Sequence, residues 1–404
     1  MEAVGSLVKA VLSPPGKGNK YGRYLEHALF LYVVYRVLKF VRQKGLRGVM
    51  KTVLAVAIQT TRAMPGLKGV VEKELEKEVR AIEEKMLGDG DEDANLELPA
   101  DGRAVESILA EAQRLHDIDN FAVGKKWAGI YHEITEDTDL EALQARMWAL
   151  YNNSNGLYPG VFKSVRKFEA EIVQMLVTML HGRDTGAVGL LTSGGTESIL
   201  IAILSYREQA RARGIEHPEV VCCRSAHGAL DKACHYFGLK LVKTEADPKT
   251  LTLTPALVRP LLTPNTIAVY ASAPSFPHGT VDPIEDLAAL TRSRNIGLHV
   301  DNCLGGFFLS GLQRAGLFRR EFDFRVKGVT TISIDVHKYG YAPKGVSAVL
   351  FADSKLRSLS IHPVTTGLTL YVTPTLQGSR GGGVIAAAWA TLMYHGMAGD
   401  VEAA

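Results

Sequence analysis

Short apolar runs rich in β-branched residues alternate with longer helical patterns between residues 187 and 351. Six runs predict strands: AVGLL from Ala187, EVVCC from Glu219, TIAVY from Thr266, IGLHV from Ile296, VTTISI from Val329 and VSAVLF from Val346. Continuous apolar runs are typical of buried parallel strands, and their alternation with helices is typical of a sheet covered on both faces. The pattern predicts an α/β fold with a mainly parallel sheet.

The region before residue 100 follows a helical pattern and then breaks. Apolar residues recur every three or four positions over 67–86, which predicts an amphipathic helix. The GDGDEDAN run at 88–95 is acidic and rich in helix breakers, and it predicts a linker. We therefore divide the chain into a basic, membrane-anchoring region at 1–62, a helical segment at 63–150 and a large domain at 151–395.

The stretch 24–41 is the most apolar part of the N-terminal region. Glu26, His27, Arg36 and Lys39 interrupt it, whereas a membrane-spanning helix needs about 20 mostly apolar residues. Basic residues follow within 42–51, so an interfacial helix, or a short span with snorkelling ends, stays open beside an ordinary surface helix.

Charge and cysteine content exclude several classes of protein. The 46 Lys and Arg against 43 Asp and Glu leave a net charge of +3, which is too small for the bulk electrostatics of a nucleic-acid binder. The 4 cysteines have neither the spacing of a disulfide framework nor that of a repeated metal motif. We expect reduced thiols, no metal site and a reducing compartment.

Three polar groups follow predicted strands, at the edge where parallel sheets bind ligands. Residues 193–196, Ser-Gly-Gly-Thr, open a helix, and their N–H and hydroxyl groups suit a phosphate. Asp301 could bind a ribose, a metal or a protonated ring nitrogen, and Lys338, desolvated in the same cleft, could form a Schiff base. Together they fit pyridoxal 5′-phosphate, and His227 after another strand could stack on its ring.

Longer motifs then carry a family resemblance. They are SGGTESI, SAHGALDKACHYFG, HVDNCLGGF, FDFRVKGVTTISIDVHKYGYAPKG and GSRGGG. Through them the chain from about residue 64 onward resembles the fold-type I pyridoxal-phosphate enzymes of the group II decarboxylase superfamily, and among these the sphingosine-1-phosphate lyase family. The resemblance implies a mainly parallel seven-stranded sheet flanked by helices, a helical N-terminal region, and pyridoxal 5′-phosphate as cofactor.

The resemblance also implies roles for the cofactor-binding residues. Lys338 corresponds to the Schiff-base lysine with His337 beside the cofactor, Asp301 to the partner of the pyridine nitrogen, and His227 to the stacking histidine. The cradle for the cofactor's phosphate corresponds to Gly194, Gly195 and Thr196, completed by Gly378 and Ser379 from the second subunit of a homodimer.

Two tyrosines are candidates for proton transfer. Tyr131 in WAGIYH matches a family tyrosine that lies over the cofactor. Tyr158 stands where the family has histidine in an Asn-x-x-His-Pro motif, so a phenol with an ordinary pKa of about 10 replaces an imidazole. Tyr131, Tyr158 or the released Lys338 could remove the substrate's hydroxyl proton, and Lys344 and Arg380 could meet the substrate's phosphate.

Members of the family cleave long-chain base 1-phosphates by a retro-aldol reaction into a fatty aldehyde and phosphoethanolamine. The resemblance therefore implies a sphingoid base 1-phosphate substrate and an endoplasmic reticulum membrane enzyme with its catalytic body in the cytosol, an orientation that the basic residues of 42–51 favour. It also implies that 396–404 begin a small C-terminal domain. An amino-acid decarboxylase of the same superfamily and a truncated, non-catalytic chain stay open as alternatives.

Overall fold

The computed structural model describes residues 73–74, 76–81, 98–99, 101–118, 138–366 and 369–402. Residues 73–74 and 76–81 are helical, as expected from the amphipathic pattern. The stretch 24–41, the linker at 88–95 and Tyr131 lie outside the described residues. Within the described ranges, no helix is long and apolar enough to cross a membrane.

Two compact units divide the chain between Asp117 and Ile118. Helix α1, Val105–Ile118, belongs to the first unit except for its last residue. The helices of the second are α2 (Thr138–Tyr151), α3 (Lys163–Met179), α4 (Gly195–Ala212), α5 (Gly228–Phe237), α6 (Pro255–Val258), α7 (Ile284–Arg292), α8 (Gly306–Arg314), α9 (Ser354–Ser358) and α10 (Gly382–Glu402), with a 3-10 turn at Arg259–Leu261. Its strands are β1 (Val188–Thr192), β2 (Glu219–Cys223), β3 (Lys240–Thr244), β4 (Thr266–Ser272), β5 (Gly297–Asp301), β6 (Thr331–Asp335), β7 (Ser347–Phe351), β8 (Val364–Thr366) and β9 (Thr369–Tyr371).

Seven strands form one sheet in the order β1-β7-β6-β5-β4-β2-β3, while β8 and β9 pair separately. β7 runs antiparallel to β1 and β6, and the other neighbours are parallel. This architecture confirms the expected mainly parallel, seven-stranded sheet, and all six predicted strands are present. β3 was missed because its sequence, KLVKT, mixes polar and apolar residues at a partly exposed sheet edge.

The pleat of the central strands points successive side chains to opposite faces of the sheet, and both faces are packed against helices. In β5, Leu298 and Val300 join the core formed with α3, α7, α8 and α10, whereas His299 and Asp301 point to the opposite face. That opposite face packs on α4 and α5 through residues such as Ile203 and Tyr206. Each fully buried aliphatic side chain there contributes about 1.5–3 kcal/mol, so the register of β5 and the position of Asp301 are strongly specified.

Candidate active site

A cavity of about 660 Å³ opens where the parallel strands end. Its walls bring together most of the residues predicted to bind the cofactor, which are Gly194, Gly195, Thr196, His227, Asp301, His337 and Lys338. They follow four different strands and are far apart in the sequence. The parallel strands place their carboxyl ends at one sheet edge, which explains the convergence.

The cradle lies in the turn between β1 and α4. Gly194 is the N-cap of α4 and supplies no side chain to its first N–H groups, which leaves them as donors for an anion beside the positive end of the helix dipole. At Gly195, an added Cβ would lie 2.8 Å from Asp335 Oδ1 and 2.9 Å from Cys303 Sγ. Glycine at 195 is therefore required by close packing.

Glu197 holds this turn in place, a role that the sequence analysis did not assign. Its Oε2 accepts the Ser193 backbone N–H at 2.7 Å and the Ser193 hydroxyl at 2.8 Å. Its Oε1 accepts the Leu376 backbone N–H at 3.0 Å. The carboxylate is buried, and it ties the cradle to the loop before Gly378.

Asp301 lies at the end of β5 with its carboxylate at the cavity wall. Oδ1 accepts the Cys303 backbone N–H at 3.1 Å and the Ser333 hydroxyl at 3.3 Å, and Oδ2 accepts the Tyr270 hydroxyl. Burial alone would raise the pKa of Asp301, but the hydrogen bond from Tyr270 and its other polar neighbours lower it below its usual value. Asp301 is therefore an anion, as the partner of a pyridinium must be.

Lys338 Nζ lies 2.8 Å from Asp335 Oδ2. A lysine desolvated in this cleft could lose its proton, but in the chain alone the pKa of Lys338 is raised. Burial would lower the pKa of Lys338, but Asp335, together with Cys303 and Asp301, outweighs burial and raises it. Asp335 is itself oriented by the Ser347 hydroxyl, 2.6 Å from Oδ1.

Two histidines line the same cavity. His337 Nδ1 donates to the Val346 carbonyl at 2.8 Å, and burial is the main reason that its pKa is lowered. His227 is the N-cap of α5, and its Nδ1 accepts the Ala229 N–H at 3.1 Å. That contact leaves Nε2 as the protonated nitrogen of a neutral ring and fixes the imidazole beside the cavity.

Three of the predicted site residues, Tyr158, Gly378 and Ser379, do not line the cavity of this chain. Gly378 lines a separate depression, and Asn155 Nδ2 donates to Ser379 Oγ at 2.9 Å. Tyr158 is 55% exposed and follows Asn155 in one turn, its N–H donating to the Asn155 carbonyl at 3.1 Å. Asn155 therefore holds Tyr158 and Ser379 in one loop cluster.

The cations expected to meet the substrate's phosphate differ in their surroundings. Arg380 forms an ion pair with Glu169 and donates to the Gly156 carbonyl at 3.2 Å, so its guanidinium is engaged within the loop cluster. Lys344 Nζ donates to the His337 carbonyl at 2.9 Å, at the edge of the cavity. Burial and then the Lys338 charge lower the pKa of Lys344.

The donor set of the cavity fits pyridoxal phosphate. Helix N–H groups at Gly194–Thr196 suit a phosphate, anionic Asp301 suits a pyridinium, and the Lys338 amine suits an aldehyde. Tyr270, Ser333 and Asp335 were not predicted from the sequence as residues of the site. Strand alternation is the signal that could have found Ser333 and Asp335, because they share the face of β6 that ends at the cavity.

Comparison with known proteins agrees with this donor set. A sequence profile of the pyridoxal-dependent decarboxylase conserved domain matches residues 93–397. The chain belongs to this family. Membership confirms the pyridoxal-phosphate cofactor that the sequence predicts.

Among its relatives, the sphingosine-1-phosphate lyase of Saccharomyces cerevisiae is 40% identical over 346 residues, covering 84% of this chain and 58% of that protein. Sphingosine-1-phosphate lyase 1 of Rattus norvegicus is 40% identical over 346 residues, covering 85% and 60% respectively. This chain therefore spans about three fifths of the length of these relatives. The resemblance to the lyase family is confirmed.

Solved structures agree on the fold. A sphingosine-1-phosphate lyase of Burkholderia pseudomallei superposes with a TM-score of 0.72 at 37% identity, over 76% of this chain and 72% of that one. Glutamate decarboxylase of Lactobacillus brevis superposes with a TM-score of 0.65 over 78% of this chain and 74% of that one. At 18% identity, the second likeness shows the fold alone.

Proposed function

We propose that this chain carries the catalytic domain of a sphingosine-1-phosphate lyase, which cleaves a sphingoid base 1-phosphate into a fatty aldehyde and phosphoethanolamine. One observation carries the proposal: the cavity joins the cradle, Asp301 and Lys338 at a single sheet edge, in a chain 40% identical to proteins of that name. Bound pyridoxal phosphate would supply an electron sink for cleavage of the C2–C3 bond.

The residues of the cavity divide the remaining work. The cradle at Gly194–Thr196 would bind the cofactor's phosphate, and His227 would lie against its ring. Asp301 would pair with the ring nitrogen and keep its proton in place. The Lys338 amine would hold the cofactor through its aldehyde carbon.

Proton transfer needs a base for the C3 hydroxyl of the substrate. Lys338 lines the cavity, so its amine, when it is free of the cofactor, would be one base within reach. Tyr158 lies in the loop cluster around Asn155, and it would act in a second copy of the chain. Tyr131 remains the third candidate.

We also propose a homodimer in which the loop cluster of one subunit completes the cavity of the other. Gly378 and Ser379 are the residues assigned to the cofactor's phosphate by resemblance, yet in this chain they line or border a different depression from Lys338. A second copy could bring them to the phosphate. The shared Asn155 contacts mean that Tyr158 would arrive with them.

The proposed location is the endoplasmic reticulum membrane, with the catalytic body facing the cytosol. The apolar stretch 24–41, its basic flank at 42–51 and the amphiphilic substrate support this proposal. Membrane association should survive high salt, because apolar burial rather than charge would hold the chain. Full release of the intact chain into the soluble fraction at low salt would contradict it.

Product analysis tests the catalytic proposal. Purified chain loaded with pyridoxal phosphate should release fatty aldehyde and phosphoethanolamine from a sphingoid base 1-phosphate. Lys338→Ala should abolish release while Lys355→Ala, which changes an exposed lysine of α9, leaves it intact. Carbon dioxide released from amino acids without aldehyde formation would favour the decarboxylase alternative, and failure to bind cofactor would favour a non-catalytic chain.

A further inference from the structure

A network of buried polar side chains lies behind Asp301, on the sheet face that packs against α4. The hydroxyl group of Tyr270, on β4, donates a hydrogen bond to Asp301 Oδ2. The Tyr270 side chain is only 1% exposed, and its ring stacks on His299 with centroids 5.0 Å apart. Tyr270 therefore reaches the cavity only through Asp301.

The carboxylate of Asp301 has about four acceptor positions, and hydrogen bonds from the Cys303 N–H, the Ser333 hydroxyl and the Tyr270 hydroxyl occupy three of them. The Cys303 N–H and the Ser333 hydroxyl occupy Oδ1, and the Tyr270 hydroxyl occupies one position on Oδ2. Of these three hydrogen bonds only the one from Tyr270 reaches Oδ2, so a ligand of the cavity that binds Oδ2 would share that oxygen with Tyr270.

Two of the titratable groups around Asp301, His299 and Cys303, are neutral. His299 Nε2 lies 3.2 Å from Ser333 Oγ, and burial lowers the pKa of His299 to about 4. The Ser333 proton is donated to Asp301, so His299 Nε2 must donate to Ser333. Burial raises the pKa of the Cys303 thiol, and across the cavity Lys338 pairs with Asp335.

We propose that Tyr270 is a positioning residue that keeps the shared proton on the cofactor's ring nitrogen rather than on Asp301. The inference rests on the proposed pairing of Asp301 with that nitrogen. A proton shared by two bases stays on the more basic one. The hydrogen bond from Tyr270 stabilises the charged carboxylate and so makes Asp301 the weaker base.

The position of the proton can be read directly by nitrogen-15 NMR of the purified chain loaded with pyridoxal phosphate labelled at the ring nitrogen. We expect the resonance of a protonated pyridine in the unmodified chain. Tyr270→Phe retains the stacked ring but removes the donor, and it should move the resonance toward that of neutral pyridine. Aldehyde formation should fall roughly tenfold or more in parallel.

Tyr206→Phe is the matched control. Tyr206 is equally buried on the same sheet face, but its hydroxyl contacts Thr330 and Thr331, each at 2.6 Å, and not Asp301. Its removal should leave the nitrogen resonance unchanged. Ser333→Ala removes another donor to Asp301 and should move the resonance in the same direction as Tyr270→Phe, which keeps the test available if the tyrosine variant does not fold.

Asp301→Asn separates this inference from the proposed function. If it leaves the resonance unchanged, Asp301 is not the nitrogen's partner, and both proposals fall. If Asp301→Asn moves the resonance but Tyr270→Phe does not, only the role of Tyr270 is overturned. Where Tyr270→Phe cannot be purified, an unmoved resonance in Ser333→Ala overturns it equally.

Discussion

Acidification should destabilise the sheet domain through His299, an imidazole with no exposed surface. Its Nδ1 lies 2.8 Å from Thr331 Oγ1 and its Nε2 lies 3.2 Å from Ser333 Oγ. Burial lowers the pKa of His299 from 6.5 to about 4, although the charge of Asp301 opposes the change. In the unfolded chain the imidazole regains its ordinary pKa.

The direction of the effect follows from proton linkage. Below pH 6.5 the unfolded chain binds a proton at His299, whereas the folded chain binds none until the pH approaches 4. The contribution of His299 to the free energy of unfolding is therefore complete above pH 6.5 and is lost as the pH falls toward 4. A pKa change of this size corresponds to about 3 kcal/mol, of which roughly 2.5 kcal/mol is lost between pH 7 and 4.5.

Urea unfolding at a series of pH values from 7 to 4.5 measures this loss. His299→Gln removes the titrating imidazole but keeps a polar side chain between the Thr331 and Ser333 hydroxyls. Between pH 7 and 4.5 its free energy of unfolding should therefore fall by about 2.5 kcal/mol less than that of the unmodified chain. The control is His217→Gln, which changes an exposed histidine and should retain the pH dependence of the unmodified chain.

Other groups titrate over the same range, notably Asp282, whose pKa burial raises to about 6. The difference between His299→Gln and the unmodified chain removes their contribution, because they are present in both. Equal pH dependence in the two proteins would refute the reasoning, since the buried imidazole would then not be held neutral by the fold.

Three further predictions concern the cavity. Gly195→Ala should lower the free energy of unfolding, measured in urea, by about 1–3 kcal/mol, because the added Cβ would lie 2.8 Å from Asp335 Oδ1. Gly194→Ala is the control, since nothing lies within 4 Å of a Cβ at that position. Equal losses of stability in the two variants would contradict this prediction. Glu197→Ala removes the acceptor of the Ser193 N–H beside the cradle, so it should weaken cofactor binding about tenfold in a spectroscopic titration. Glu197→Gln should partly restore the affinity, and an unchanged affinity in Glu197→Ala would exclude this role of Glu197. Asp335→Asn should lower the pKa of Lys338, so the absorbance of lysine-bound cofactor should develop at lower pH. If the midpoint of that absorbance change with pH does not shift, a group other than Asp335 sets the pKa of Lys338.

The strands and the cofactor cradle could be predicted because their signals are local. Each predicted strand is a short apolar run, and the Ser-Gly-Gly-Thr turn combines conformational freedom with N–H donors in four consecutive residues. β3 escaped prediction because an edge strand needs no such run. The protonation of Lys338 escaped it because burial and Asp335 act on its pKa in opposite directions, and their balance depends on a 2.8 Å contact that forms only after folding.

The sequence by itself determined which chemistry the chain offers: an anion site at a helix start, an acid and an amine, each after a buried strand. The tertiary structure decided which side chains adjust that chemistry. Asp301 takes hydrogen bonds from Tyr270, 31 positions before it, and from Ser333, 32 positions after it. These partners lie on the neighbouring strands β4 and β6, and strand order and register are properties of the assembled sheet rather than of any local segment.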